Sequence, residues 1–243
     1  MKTIIVIPAR FGSKRFPGKP LANIHGKPMI SWVAKTSAEV VGIDNVFIAT
    51  EDIRVKKAVI EMGYQVIMTS KNCLTGTDRL AEVANNIEAD IYVNVQGDEP
   101  TVKSKDISKI IDVKKKNPND IINGFTTIAA NEDLNSANIP KVIFNESKYL
   151  VYMSRKKIPG FKEDKNKPKK YYKQVCIYAF NQKELLAFSK FGRRSILEQS
   201  EDIEILRFLE LEKKILMVET EKGTIAVDEP SDVVKVEEEM KKL

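Results

Sequence analysis

Short apolar runs alternate with amphipathic segments through the first hundred residues of the chain. Four runs rich in β-branched residues predict buried strands, and apolar residues at helical spacing predict a helix in each interval between them. Gly63 is expected to end the second helix, and Thr77 or Asp78 to cap the third. The predicted strands cover residues 3–9, 45–50, 64–70 and 89–97, and the predicted helices cover residues 28–40, 51–63 and 77–87.

The pattern of the second half is less regular. Two segments alternate apolar and polar residues as half-buried strands do, and further apolar runs predict three more strands. A strong helical pattern precedes the last strands, and a C-terminal helix capped by Ser231 follows them. The predicted strands cover residues 121–129, 141–155, 174–181, 215–220 and 224–228, and the helices cover residues 195–213 and 231–243.

Strands that alternate with helices indicate an α/β protein with a mainly parallel sheet covered on both faces. We expect one domain over residues 1–243, with a core of residues 1–123 and 214–243 and a subdomain at roughly 124–213. Ligands of such sheets bind beyond the carboxyl ends of the strands, so the loops that follow the strands should converge there. These loops read PARFGSKR, ATED, TSKNCLTGTDR and QGDEP.

Composition is that of an ordinary globular protein, with 42% hydrophobic and 30% charged residues among 243. No apolar run approaches the roughly 20 residues of a membrane span, and Pro8 interrupts the N-terminus too early for a signal peptide. We therefore expect a cytoplasmic location and no membrane partner. Cys73 and Cys176 fit no metal or redox spacing and are interpreted as ordinary thiols, and His25 alone cannot build a zinc site.

The net charge of +6 favours anionic partners such as nucleotides, nucleic acid or a membrane surface. Much of the excess lies in residues 162–173, which read KEDKNKPKKYYK. This stretch is either a solvated loop or a patch whose lysines and tyrosines engage phosphates and bases. Since no RNA- or DNA-binding module is recognisable elsewhere, we expect no nucleic-acid partner.

The opening loop PARFGSKRFPGKP, residues 8–20, carries two glycines and several cations directly after a strand. Glycines allow close backbone approach, backbone N–H groups can form an anion-binding concavity, and arginine can bind a phosphate with two hydrogen bonds. The loop has neither the P-loop nor the dinucleotide glycine order. It is therefore a phosphate cradle or a plain basic turn. Its cations are Arg10, Lys14, Arg15 and Lys19.

Acidic residues end two apolar runs. Asp98 follows one strand, and Mg²⁺ prefers one or two carboxylates together with substrate phosphates, so Asp98 is a candidate ligand. The alternative is a solvated turn built on Gly97 and Pro100. Asp228 ends another run and could belong to the entry of the next helix. It becomes a second metal ligand only if its strand neighbours that of Asp98, which the sequence leaves open.

Taken in order, these clusters resemble the nucleotide sugar cytidylyltransferases, most closely the 3-deoxy-manno-octulosonate cytidylyltransferase (CMP-Kdo synthetase) family. The resemblance implies a Rossmann-like mixed, mainly parallel sheet with a smaller inserted dimerisation and sugar-binding subdomain. It also implies transfer of CMP from CTP to a 3-deoxy-2-ulosonic acid, Mg²⁺ as cofactor, a homodimer and a role in making lipopolysaccharide or capsule. The matching stretches are IPARFGSKRFPGKPLANIHGKPMI, ATED, TGTDRLAEV, VNVQGDEP, YMSRKKIP, QVCIYAF, SILEQSEDIEILRFLE and AVDEPSDV.

The resemblance also assigns roles to residues. It places the triphosphate on the opening loop, the cytidine beside TGTDR, and the metal on Asp98 and Asp228. Arg10 and Lys19 would join these two aspartates in catalysis. The nucleotide would be held by Ala9, Arg10, Gly12, Ser13, Arg15, Lys19, Thr77, Arg79 and Gln96. The acceptor sugar would be held by Gln96, Arg155, Gln174, Tyr178, Glu198 and Glu201.

Two positions depart from the family pattern. Gln174 stands where the family has histidine, and Cys176 where it has glycine. Glutamine offers a neutral donor and acceptor, whereas histidine can donate from a charged ring. One hypothesis is an amino-substituted octulosonate such as 8-amino-Kdo as acceptor, and the other is neutral drift at a peripheral contact.

Two further functions remain as alternatives. One is a cytidylyltransferase for a nonulosonic acid of the sialic or legionaminic type, against which the opening motif argues. The other is a non-catalytic nucleotide-binding protein. The presence of both Asp98 and Asp228 argues against it.

Overall fold

Eleven strands and eight α-helices make up the described part of the computed structural model, which comprises residues 1–13, 15–221 and 225–241. Lys14 of the opening loop and Thr224 of the last predicted strand lie outside it. The strands are β1 Thr3–Pro8, β2 Asn23–Ile24, β3 Lys27–Pro28, β4 Val46–Thr50, β5 Gln65–Met68, β6 Ile91–Val95, β7 Ile121–Thr127, β8 Lys141–Phe144, β9 Leu150–Ser154, β10 Tyr172–Phe180 and β11 Ile215–Glu219. The helices are α1 Met29–Val41, α2 Ile53–Glu61, α3 Gly76–Asn86, α4 Ser104–Lys116, α5 Gln182–Lys190, α6 Ile196–Glu201, α7 Leu206–Glu210 and α8 Asp232–Met240.

One mixed sheet organises the molecule. Its main path has the strand order β11-β7-β10-β6-β1-β4-β5, and the hairpin β8–β9 joins it through β8, which pairs with β10. Along the main path, β10 is antiparallel to both of its neighbours, and all other pairings are parallel. The predicted mainly parallel sheet is therefore confirmed, and β4, β1 and β6 end side by side at its carboxyl edge.

Both faces of the sheet are buried, as the continuous apolar runs predict. Along β1, Ile4 and Val6 belong to one core cluster while Ile5 and Ile7 belong to the other. Helices α3, α5 and α7 contribute to the first cluster, and α1, α2 and α4 contribute to the second. Helices thus cover both faces, as expected.

Helix α8 forms a third, smaller core with the β2–β3 hairpin, in which Ile24, Val227 and Val236 are fully buried. This packing brings the chain before α8 to the opening loop. Residues 225–228 are not a strand, contrary to the prediction for 224–228. Ser231 precedes α8 but makes no side-chain cap; instead Asp232 accepts hydrogen bonds from the backbone N–H groups of residues 228 and 229.

Two other local predictions are corrected, and two helices were not predicted. The single helix expected over residues 195–213 is divided into α6 and α7 at Asp202, which has a left-handed φ of 51°. Helix α3 is capped by Thr75, whose hydroxyl accepts from Asp78 N, rather than by Thr77 or Asp78. Helices α4 and α5 carry no prediction.

The expected subdomain boundary at residue 124 falls within β7. β10 lies in the main sheet between β6 and β7, so residues 172–180 belong to the core and not to an insertion. What lies off the main path is the β8–β9 hairpin. Within the described residues, no helix is long and apolar enough to cross a membrane.

Candidate active site

Two adjoining cavities open at the carboxyl edge of the sheet. The nucleotide-side cavity, defined by its lining of opening-loop and α3 residues, has a volume of about 350 Å³. The acceptor-side cavity, lined by β10 and residues 194–204, has about 450 Å³. Six residues line both, so the cavities meet at Arg10, Leu74, Thr75, Gly76, Gln96 and Asp98.

Most of the predicted site residues line one cavity or the other. The nucleotide-side cavity has Arg10, Gly12, Ser13, Lys19, Arg79, Gln96 and Asp98. The acceptor-side cavity has Arg10, Arg15, Gln96, Asp98, Arg155, Gln174, Tyr178, Glu198 and Asp228. Ala9, Thr77 and Glu201 line neither.

The opening loop folds back on itself at the end of β1. Gly18 has a φ of 75°, its N–H donates to Phe11 O, and the Phe11 ring lies 3.1 Å from where a Cβ would stand. Gly97 has a comparable restriction after β6, because a Cβ there would lie 2.8 Å from Ile30 Cδ1 and 3.1 Å from Pro8 O. These glycines let the opening loop and the loop after β6 approach closely.

Asp98 and Asp228 converge on one cation. Lys19 Nζ donates to Asp98 Oδ2 at 2.6 Å and lies 4.0 Å from Asp228 Oδ1. Arg15 Nη2 donates to Asp228 Oδ1 at 2.9 Å. The two carboxylates therefore face a shared position, although their chain segments are not paired strands. This answers the question of proximity that the sequence leaves open.

The donor set at this position fits a magnesium ion. Two carboxylates with room for substrate phosphates are what Mg²⁺ prefers, because it retains several oxygen ligands from water and nucleotide. In the described part of the chain, no group of three or more His, Cys, Asp or Glu side chains could form an all-protein metal site. The pair suits an ion that arrives with a nucleotide.

Glu204 lines the acceptor-side cavity and orients Gln96, which lines both cavities, and sequence reasoning missed it. Its carboxylate accepts a hydrogen bond from Thr77 N at 3.0 Å and another from Gln96 Nε2 at 3.2 Å. Burial raises the pKa of Glu204 above its ordinary value. Thr77 is thus oriented through its backbone toward Glu204. The sequence feature that could have indicated a role for Glu204 is its position between two apolar residues, Ile203 and Ile205, both of which are buried.

A buried ion cluster supports the acceptor-side wall. Arg207 is fully buried and donates to both carboxylate oxygens of Glu198, each at 2.7 Å, and to Asp78 Oδ1 at 2.8 Å. Glu198, predicted to hold sugar, is therefore already paired. Its role in this arrangement is to fix α6 and α7 against α3.

Arg155 and Glu201 form a second support. Glu201 accepts from Ser154 Oγ at 2.7 Å and from Arg155 N at 2.8 Å. The Arg155 guanidinium donates to the backbone oxygens of Ala137, Glu201 and Asp202. Arg155 lines the acceptor-side cavity while holding its rim together.

Arg79 and Cys73 shape the wall of the nucleotide-side cavity. Arg79 is 3% exposed, forms an ion pair with Glu51 at 2.5 Å and donates to Thr69 Oγ1. The Cys73 thiol donates to Glu82 Oε1 at 3.1 Å, and burial together with that carboxylate raises its pKa to about 12. The thiol is therefore protonated at neutral pH, as expected of an ordinary cysteine.

One face of β10 supplies the floor of the acceptor-side cavity. Gln174, Cys176 and Tyr178 all line it, and Gln174 Nε2 donates to Tyr178 OH and to Asn123 Oδ1, each at 3.2 Å. Beside them, burial and the neighbouring Asp98 raise the pKa of Glu99 to about 7. The floor is therefore polar and largely buried, and part of it is uncharged.

The fold agrees with that of a solved structure of low sequence identity. A cytidylyltransferase from Leptospira borgpetersenii has the same fold at a TM-score of 0.60, with 18% identity and coverage of 100% of this chain and 96% of that one. The cationic loop, the carboxylate pair and the second cavity lie where ligands of such sheets bind, outside the carboxyl ends of the strands.

The sequence model of the cytidylyltransferase family matches residues 4–215, and the chain belongs to that family. It is 40% identical to the 3-deoxy-manno-octulosonate cytidylyltransferase of Geobacter sulfurreducens, over 99% of this chain and 100% of that protein. It is 36% identical to the 8-amino-3,8-dideoxy-manno-octulosonate cytidylyltransferase of Shewanella baltica OS185, over 99% of each.

A solved structure of similar sequence agrees closely with the fold. It is a CMP:2-keto-3-deoxy-manno-octonic acid synthetase complexed with CTP. Its TM-score is 0.91 at 37% identity, and the match covers 100% of this chain and 99% of that chain. The predicted family and the enzymatic class are therefore confirmed.

Proposed function

We propose that the enzyme transfers CMP from CTP to the anomeric hydroxyl of a 3-deoxy-2-ulosonic acid of the octulosonate type, releasing pyrophosphate. The observation that carries this proposal is the position of Asp98 and Asp228, which face one cation where the two cavities meet. A nucleotide in one cavity and an acceptor in the other would place the α-phosphate and the attacking oxygen at that junction. The names of the relatives supply the acceptor class.

In this proposal the opening loop holds the triphosphate. Arg10 and Ser13 line the nucleotide-side cavity together with Lys19, and charge-assisted hydrogen bonds from such groups bind phosphate oxygens strongly. The same cations stabilise the charge that develops on the departing pyrophosphate, which is the main work of catalysis in phosphoryl-type transfer. Arg15, which contacts Asp228, extends this charge toward the acceptor.

Asp98 and Asp228 would hold Mg²⁺. When bound, the ion supplies Lewis-acid polarisation of phosphate oxygen and lowers the pKa of a coordinated hydroxyl. The protein's own contribution is to hold the two carboxylates close to one shared position. No residue is assigned as a general base in this proposal.

On the acceptor side, the guanidinium groups of Arg10, Arg15, Arg155 and Arg194 line the cavity, and they suit the carboxylate of an ulosonic acid. Gln96 is oriented by Glu204 at the junction, where it would contact ribose or sugar. Glu198 and Glu201 act in this proposal through the wall they hold, not by direct contact with sugar.

The candidate acceptors are the 8-hydroxy and the 8-amino octulosonate, and Gln174 favours a partner that donates a hydrogen bond. Both N–H groups of its amide are directed at Asn123 and Tyr178, which leaves its carbonyl oxygen for substrate. An ammonium group would be a stronger donor to that oxygen than a hydroxyl. Comparing kcat/KM for Kdo and 8-amino-Kdo tests this choice, and a clear preference for Kdo would exclude the amino acceptor.

The function is tested by incubating the enzyme with CTP, Mg²⁺ and a panel of ulosonic acids while pyrophosphate is measured. We expect release that depends on an octulosonate. Selective release with a sialic- or legionaminic-type acid would favour the nonulosonic alternative. CTP binding without any acceptor-dependent release would favour a non-catalytic nucleotide-binding protein.

The wider setting belongs to the same proposal. We propose a cytoplasmic homodimer whose product feeds lipopolysaccharide or capsule synthesis. Analytical ultracentrifugation at micromolar concentration tests the dimer, and sedimentation as a monomer would contradict it.

A further inference from the structure

Asp228 reaches Asp98 because the chain before it is bound to the segment that follows β6. We call residues 98–106, between β6 and the first turn of α4, the anchor segment. It accepts hydrogen bonds from three backbone N–H groups of the chain that leads from β11 to Asp228. The bonds are Val227 N to Asp98 O at 2.8 Å, Ile225 N to Thr101 Oγ1 at 3.0 Å and Glu221 N to Asp106 Oδ1 at 2.9 Å.

These contacts replace the ladder of a β-sheet. Residues 225–228 are not part of a strand, so no strand partner fixes their register. Val227 is also held by Lys19 Nζ, which donates to its carbonyl oxygen at 2.9 Å. The position of the Asp228 carboxylate therefore depends on several separate hydrogen bonds, and within the anchor segment the side chains of Thr101 and Asp106 accept two of them.

Both side chains are buried, and Asp106 is incompletely paired. Thr101 is 4% exposed and Asp106 is 2% exposed. One oxygen of Asp106, Oδ2, is buried and makes no hydrogen bond. Burying an incompletely paired carboxylate costs stability. The hydrogen bond from Glu221 N offsets part of this cost for Asp106.

We propose that Thr101 and Asp106 are positioning residues that set the Asp228 carboxylate relative to Asp98 and thereby tune the affinity of the divalent-metal site. The inference rests on the metal assignment of the proposed function. Groups that orient metal ligands from behind commonly change metal affinity by about ten- to a hundredfold when they are removed. Neither residue lines either cavity, so neither is assigned contact with substrate.

The first test is at Thr101. Thr101→Val keeps the shape of the side chain but removes the acceptor, whereas Thr101→Ser keeps the acceptor. With CTP present, Mn²⁺ binding followed by electron paramagnetic resonance should weaken roughly ten- to a hundredfold in T101V and stay near the wild-type affinity in T101S. CTP binding measured in EDTA should be the same in all three proteins.

The second test is at Asp106. Asn retains an oxygen acceptor for Glu221 N, so Asp106→Asn should bind Mn²⁺ like the wild type. Asp106→Leu removes the acceptor and should weaken Mn²⁺ binding as T101V does. A loss in D106N equal to that in D106L would show that charge, and not the hydrogen bond, is needed, and would overturn the inference at this residue.

The outcomes separate the inference from the proposed function. Wild-type enzyme that binds no Mn²⁺ with CTP would contradict the metal assignment itself. Wild-type enzyme that binds Mn²⁺, together with T101V of unchanged affinity, would overturn only the positioning role. If T101V does not fold, Thr101→Ala removes the same acceptor with a smaller side chain and decides the question in the same way.

Discussion

Lys19 has two kinds of partner in the proposed function. Its ammonium lies 2.6 Å from Asp98 Oδ2 and is largely buried. Phosphate oxygens are equally good partners for an ammonium, and a divalent cation would repel it from the carboxylates. The single positive charge of Lys19 can therefore pair either with the Asp98 carboxylate or with phosphate. The carboxylates are neutralised by Lys19 in the first case and by the divalent cation in the second.

Asp98→Asn should abolish most of the turnover and leave the fold intact. The carboxylate follows the end of β6 and is half-buried, so its loss removes charge from the junction without opening the core. Metal assistance is worth several kcal/mol of barrier, so we expect kcat to fall by at least about a hundredfold. Steady-state rates at saturating CTP measure this, with unfolding curves as the control. Near-normal turnover at limiting Mg²⁺ would contradict the metal assignment.

Lys19→Met should mainly impair the use of CTP. A charge-assisted hydrogen bond contributes about 1.5–3 kcal/mol, so kcat/KM for CTP should fall by roughly ten- to a hundredfold. Lys116→Met, at an exposed position on the last turn of α4, is the matched control and should behave as wild type. A rise confined to the KM of the acceptor sugar would show that Lys19 has another role.

Among the helices and strands, some sequence patterns predict the structure and others do not. β1, β4 and β6 could be predicted because continuous apolar runs admit few other structures, and their loops were expected to converge for that reason. The break at Asp202 could not, since residues 195–213 keep helical spacing throughout. In a continuous helix, Glu198 and Arg207 would be about 13 Å apart along the axis and roughly on opposite faces. Their ion pair exists only because the helix is interrupted.

The same reasoning applies to two residues that the family resemblance assigns to the sugar. The carboxylate of Glu198 is engaged by Arg207 across the helix break, and that of Glu201 is engaged by the end of β9. Glu204 was overlooked because one carboxylate within an apolar pattern resembles an exposed helix position. Long-range side-chain pairs of this kind leave no local trace.

Arg207→Met should destabilise the protein strongly. The change leaves Glu198, 1% exposed, without its partner, and breaking a buried ion pair from one side costs about 3–5 kcal/mol. Urea unfolding followed by circular dichroism measures the loss. Arg193→Met, at an exposed position nearby, is the control and should stay within about 0.5 kcal/mol of wild type. A loss of less than about 1 kcal/mol in R207M would show that the cluster is not a major support.

At the scale of the whole molecule, a chain of net charge +6 concentrates its functional acids at one edge. Asp98, Glu99, Glu204 and Asp228 all line the acceptor-side cavity, where four arginines face them. The surplus of lysines lies elsewhere, including residues 162–170, which are nearly all exposed and precede β10, whereas Tyr171 is buried and residues 172 and 173 belong to β10. The net charge of the chain therefore indicated an anionic partner, whereas the site itself contains both acidic and arginine side chains.

The pH dependence of folding provides a whole-molecule test of the anchor segment. Burial raises the pKa of Asp106 above its ordinary value of 3.8, although the bond from Glu221 N and the nearby Lys103 and Lys109 oppose the shift. The folded state therefore holds a proton on Asp106 more tightly than the unfolded state does. Its contribution to stability is fully present below pH 3.8 and declines as the pH rises through the folded-state pKa.

Asp106→Asn removes this titration, so the free energy of unfolding of D106N relative to wild type should increase as the pH rises from about 4 to neutral and then level off. Urea unfolding at a series of pH values measures the difference. The neighbouring carboxylate Glu221 adds to the raised pKa of Asp106 by repulsion, and this interaction is lost in D106N together with the titration of Asp106. A difference that is constant with pH, or that falls as pH rises, would mean that Asp106 is not held in its buried environment. The anchor of Asp228 would then lose one of its two side-chain bonds.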